Sequence, residues 1–74
     1  MNQTFEEVLQ EIKHWKTLEI IDGKMYYKIT AADLNGKAFQ QAFQEFYEYR
    51  KNKEVLNYTF NSDSELMILF KEGE

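Results

Sequence analysis

The sequence predicts an α+β domain of order α-β-β-α-β-β, a four-stranded antiparallel sheet with two helices packed on one face. Three observations carry that reading. Apolar residues recur at helical spacing in two segments, alternate at strand spacing in three others and run almost unbroken through Glu65–Lys71. Asp22-Gly23 and the cluster Asn61–Glu65 supply turn formers where two hairpins must close. Pro, Gly/Ser-rich linkers and low-complexity tracts are missing, so residues 1–74 read as a single domain.

The first helix is expected from Asn2 to Lys16. Thr4 and Glu7 have capping-box spacing, which would satisfy two backbone donors at its start. Phe5, Val8, Leu9, Ile12 and Trp15 then line one face at a repeat of about 3.6 residues. Glu7, Gln10, Glu11 and His14 take the wet side.

A hairpin follows. Asp22-Gly23 suits a two-residue turn that needs positive φ. With Ile21 opposite Lys24, Ile20 faces Met25 and Leu18 faces Tyr27. Leu18, Ile20, Met25, Tyr27 and Ile29 then share one face of the sheet. Glu19, Ile21, Lys24, Tyr26 and Lys28 share the other.

The second helix is expected within Ala31–Asn52. Thr30 stands at its cap with Asp33 three residues on, and Asn35-Gly36 delays regular helix to Lys37. Ala38, Phe39, Ala42, Phe43, Phe46 and Tyr49 form its apolar stripe. The last unit is a hairpin of Glu54–Phe60 and Glu65–Lys71. Pairing Phe60 with Leu66 sets Tyr58 opposite Ile68 and Leu56 opposite Phe70. Gly73 and Glu74 are expected to fray. The two αββ stretches, 1–30 and 31–72, suggest an internal repeat.

Composition narrows the function classes. The chain has no Cys and one His, which excludes thiolate metal sites, thiol nucleophiles and two-histidine metal clusters. A net charge of −4 opposes direct nucleic-acid binding, which needs clustered Lys and Arg. No apolar run approaches the roughly 18 residues of a membrane span. The opening MNQTFEEV lacks the basic-then-apolar order of a signal peptide. Together these predict a cytoplasmic protein with no membrane association.

Catalysis is not expected. His14 lies opposite the apolar stripe, where no pocket should form. The pairs Glu6/Glu7, Glu45/Glu48 and Glu72/Glu74 fall on wet faces or the tail, without the burial that separates the pKa values of an acid/base dyad. Asp33-Leu34-Asn35-Gly36 begins like a calcium loop, but its twelfth position is Gln44 rather than Glu. The three Gly residues occur singly and cannot cradle a phosphate. No cofactor or metal is expected.

The open face of the sheet is the candidate site. With both helices on the Leu18/Tyr27/Tyr58/Ile68 side, the other side should carry Ile21, Tyr26, Val55, Thr59, Met67 and Leu69. That is more apolar than a wet sheet face requires. Arg50, at the C-terminal end of the second helix, either caps the last carbonyls or reaches a partner. The expected role is a small acidic protein-binding module, namely an inhibitor, an antitoxin-like blocker or an adaptor. Its partner would be a protein, with a basic or nucleic-acid-handling one the best electrostatic match. A homodimer through the open face is the other way to cover it. The alternative function is single-stranded nucleic-acid binding, with Tyr26 stacking between Lys24 and Lys28. A Pro-free composition rich in Lys, Asn, Glu, Phe and Tyr fits an accessory protein of an AT-rich bacterium, its phage or a mobile element.

Overall fold

In a computed structural model describing residues 2–71, seven short elements follow one another. They are α1 (Phe5–Glu11), β1 (Thr17–Asp22), β2 (Met25–Thr30), a 3-10 turn (Ala31–Asn35), α2 (Lys37–Arg50), β3 (Val55–Phe60) and β4 (Glu65–Phe70). The strands form a single sheet in the order β2-β1-β4-β3. Expectations for Gly73, Glu74 and the Glu72/Glu74 pair lie outside the described residues.

The start of α1 is held from two sides. Thr4 and Glu7 make the capping box, with the Glu7 N–H donating to Thr4 Oγ1 and the Thr4 N–H donating to Glu7 Oε1 at 2.8 Å. The next two free donors find carbonyls at the junction of α2 and β3. Phe5 N–H donates to Lys53 O and Glu6 N–H to Lys51 O, each at 3.0 Å. The helix is shorter than its periodicity predicts. Ile12 turns to extended backbone (φ −114°, ψ 93°). Lys16 N–H already bonds Ser64 O beside the start of β4. A helix carried to Lys16 would leave no chain to reach β1 at Thr17, so tertiary pairing overrides local propensity.

The sheet is mixed rather than antiparallel throughout. β1 pairs with β2 and β3 with β4 in antiparallel fashion, but β1 and β4 run parallel at the centre. The length of α2 explains this correction. Its 14 residues span about 21 Å. A six-residue strand spans about 20 Å. The helix therefore carries the chain from the end of β2 to the opposite end of the sheet, where β3 begins. That makes β2 and β3 codirectional, and β1 and β4 with them. The two αββ stretches hold unequal places. The first strand of one (β1) and the second strand of the other (β4) are central.

Both hairpins depart from the expected register, each in its own way. In the first, Asp22 pairs with Met25 and Ile20 with Tyr27, so the turn residues are Gly23 and Lys24. Gly23 has φ +64° and Lys24 does not have positive φ. This suits a type II′ turn, which needs glycine only at its first central position. The shift is two residues, an even number, so every side chain keeps its expected face. In the second hairpin, Phe60 faces Leu66 and Tyr58 faces Ile68 as expected, but a bulge falls between Val55 and Asn57. Val55, not Leu56, then lies opposite Phe70. Val55 is buried and Leu56 is 54% exposed. The Asn61 side chain shapes the connecting loop, accepting from the N–H groups of Asp63 and Glu65.

The buried core consists of Phe5, Val8, Leu18, Ile20, Val55, Leu66, Ile68 and Phe70. Leu9 of α1, and Ile12 and Trp15 just beyond it, pack against the core, as do Phe43, Phe46 and Tyr47 of α2. Rings meet edge-on where helix and sheet touch. Phe5 and Phe70 lie 5.3 Å apart, and Tyr27 and Phe46 lie 4.8 Å apart.

Candidate functional site

Ladder register decides which predicted residues meet. Ile21 lies opposite Tyr26 on β2 and beside Leu69 on β4. Met67 lies beside Glu19 and opposite Thr59. Ile21, Tyr26, Met67 and Leu69 therefore form one apolar strip across β2, β1 and β4, with Thr59 at its β3 margin. Tyr26 is 56% exposed and Met67 41%. Ile21, Met67, Leu69, Asn57 and Thr59 line a shallow depression of about 160 Å³.

Val55 does not belong to this surface. It was expected there from simple alternation along β3, but the bulge returns it to the core. The signal that could have found it is Val55-Leu56, two adjacent apolar residues where the alternation of β3 breaks.

Arg50 also stands apart from the strip. Its Nε donates to Asp22 Oδ2 at 3.0 Å, and both side chains are only 14% exposed. Its guanidinium lies 4.1 Å from the Phe46 ring centroid and donates to the Tyr27 hydroxyl. Lys53 Nζ meets the other Asp22 oxygen at 2.5 Å. Burial pushes the Asp22 carboxyl up, but hydrogen bonds and charge from Lys53 and Arg50 outweigh it and hold its pKa below the usual value. Asp22 thus ties the first turn to the end of α2. Sequence reading missed this role because Asp22 looked like a turn residue alone.

The strip has a polar companion that was also missed. The Tyr26 hydroxyl donates to Glu19 Oε2 at 2.7 Å. That bond, more than burial, raises the Tyr26 pKa above its ordinary value. Glu19 is in turn opposite Lys28. A carboxylate therefore sits where a stacked nucleotide would bring phosphate near Tyr26, which opposes anionic ligands.

A second apolar surface was not anticipated. Tyr27, Ile29, Phe39, Ala42, Phe43 and Phe46, with Lys28, line a groove of about 240 Å³ between α2 and β2. Phe39 is 52% exposed, and no α2 residue is fully buried. The periodic stripe of α2 is real, but the sheet covers only part of it.

Among the described residues, no group of three or more His, Asp and Glu side chains is placed to hold a metal ion. None of their helices is long and apolar enough to cross a membrane. His14 is exposed in the segment linking α1 to β1. Asp33 is spent on the 3-10 turn, where it accepts from the Thr30 hydroxyl. Compared with protein-family models, curated proteins and solved structures, the chain matches none.

Proposed function

We propose that this chain is a small, acidic, non-enzymatic protein-binding module that docks on a partner protein through the sheet face bearing Ile21, Tyr26, Met67 and Leu69. The observation that carries the reading is the continuous apolar strip formed by those four residues in register across three strands. Both helices lie on the opposite face. In support, Phe5 of α1 meets Phe70, and Phe46 of α2 meets Tyr27, residues that share the Ile20/Ile68 side. Tyr and Met suit a docking surface, one amphipathic and the other adaptable.

Charge selects the kind of partner. The net charge is −4, and Glu19 and Glu65 flank the strip. A partner with an apolar spot ringed by Lys and Arg fits, such as a nucleic-acid-handling protein that an inhibitor, antitoxin-like blocker or adaptor would occupy. The same charges, with Glu19 bonded to Tyr26, favour a protein over single-stranded nucleic acid.

The test is a paired capture from a bacterial lysate with the wild type and the Tyr26→Glu/Met67→Glu variant, each first shown to be folded by circular dichroism. The proposal expects a protein held by the wild type and lost by the variant, with the purified partner binding at least about tenfold more weakly. Equal recovery by the folded variant rules out this face. Salt-sensitive binding of a labelled single strand would favour the nucleic-acid reading instead.

A further inference from the structure

We propose that the free edge of β2, together with the apolar groove beside it, is a self-association surface whose occupant is a second copy of this chain. The sheet has two edges, β2 and β3, and they are built differently. β3 is defended. It carries the bulge at Leu56, a Gln3–Thr4 segment bridges its start, and the Asn57 carboxamide already accepts from the Tyr58 N–H. Such devices keep other strands away. β2 has none of them. Met25–Thr30 runs without a bulge, and among the described residues no loop or turn backbone bond reaches Met25–Ile29. Its one charged residue, Lys28, lies opposite Glu19 of the neighbouring strand.

An unpaired strand edge calls for another strand, and β2 is complementary to itself. A two-fold axis normal to the sheet sets β2 antiparallel to its copy and keeps each face of the two sheets continuous. Opposed residues must then come from the same face, which leaves few registers. Centred on Lys28, two ammonium groups stand opposite each other, an unfavourable pair. Centred on Tyr27, Met25 faces Ile29 of the copy and Tyr26 faces Lys28, aromatic against cation. Centred on Tyr26, the strands overlap only over Met25–Tyr27 and Lys24 stands against Lys28 of the copy, so the structure assigns the Tyr27-centred pairing. It also brings the exposed flanks of the two α2 helices together over the new strand pair, covering Phe39, Ala42 and Phe43. One arrangement satisfies both the open backbone and the apolar groove. Tyr26 apart, the strip on the opposite face stays free, and Phe39→Glu and Met67→Glu tell the two surfaces apart.

Size-exclusion chromatography with light scattering, across micromolar concentrations and in about 0.15 M salt to screen the net charge, measures the mass directly. The expected mass is twice the chain's 8.9 kDa. Phe39→Glu should return it to one chain with an unchanged circular dichroism spectrum, whereas Met67→Glu should leave the dimer intact. The register has its own readout, because the chain has no Cys. Tyr26→Cys and Lys28→Cys chains, mixed and oxidised, should cross-link to each other more than either does alone. A single-chain mass for the wild type, a dimer untouched by Phe39→Glu, or stronger cross-linking of Lys28→Cys alone overturns the proposal.

Discussion

Asp22 is the residue whose chemistry reaches furthest. It closes the first turn and accepts from both Arg50 and Lys53. Replacing it with Asn leaves two cations without their counter-charge. The expected loss is about 1–3 kcal/mol at neutral pH, read by urea denaturation. Because the folded-state pKa is depressed, this contribution is present above the ordinary Asp value of 3.8 and fades as pH falls below it toward the folded value. The difference between wild type and Asp22→Asn should therefore shrink below about pH 4. A gap that stays constant into acid would contradict the ion-pair account. Gly23 offers a cleaner case beside it. Its φ of +64° strains any L side chain, yet a Cβ there meets nothing within 4 Å. Gly23→Ala should cost about 1 kcal/mol through backbone strain alone.

At the scale of elements, the bulge in β3 makes the sharpest forecast. Val55→Asp places a charge in the core and should prevent folding. Leu56→Asp, one residue on, should change stability by no more than about 0.5 kcal/mol. Circular dichroism with urea denaturation distinguishes the two, and the reverse order would restore simple alternation. The same strand shows what a sequence can and cannot disclose. Alternation in β1 and the pairing of β4 with β3 placed Leu18, Ile20 and Ile68 on the buried side, even though the first hairpin's register slipped by two residues. Leu56 defeated it because two adjacent apolar residues, Val55 and Leu56, do not say which of them enters the core when a bulge intervenes. The capping box at Thr4–Glu7 and the start of α2 at Lys37 were legible, since both rest on local chemistry. The early end of α1 was not, because it is set by where β1 must begin. The parallel centre was within reach of arithmetic. A 14-residue helix that matches the strand length cannot return the chain to the end it left.

For the whole molecule, the distribution of apolar surface is the central feature. Among the described residues a core of eight is small, and apolar surface gathers in two places, with Tyr26 and Met67 exposed in one and Phe39 in the other, while Met25, Tyr49, Leu56 and Phe60 are exposed outside both. One is the strip of Ile21, Tyr26, Met67 and Leu69, which the sequence announced through apolar residues on the wet side of three strands. The other is the groove between α2 and β2. It could not be read, because a helical stripe shows that a face is apolar and not how much of it the sheet covers. Arg50 is the opposite case. A cation in an apolar stripe could cap the last carbonyls or reach a partner, and the fold instead spends it on Asp22 and Phe46.

Resonance mapping tests the docking face most directly. Isotope-labelled chain is titrated with the captured partner and the methyl signals of Ile21, Met67 and Leu69 are followed beside those of Val8, Leu18 and Ile20. The account predicts that the first set moves or broadens while the second holds still. Perturbation confined to Phe39, Tyr49 or the Asn61–Ser64 loop, with the strip silent, would contradict it.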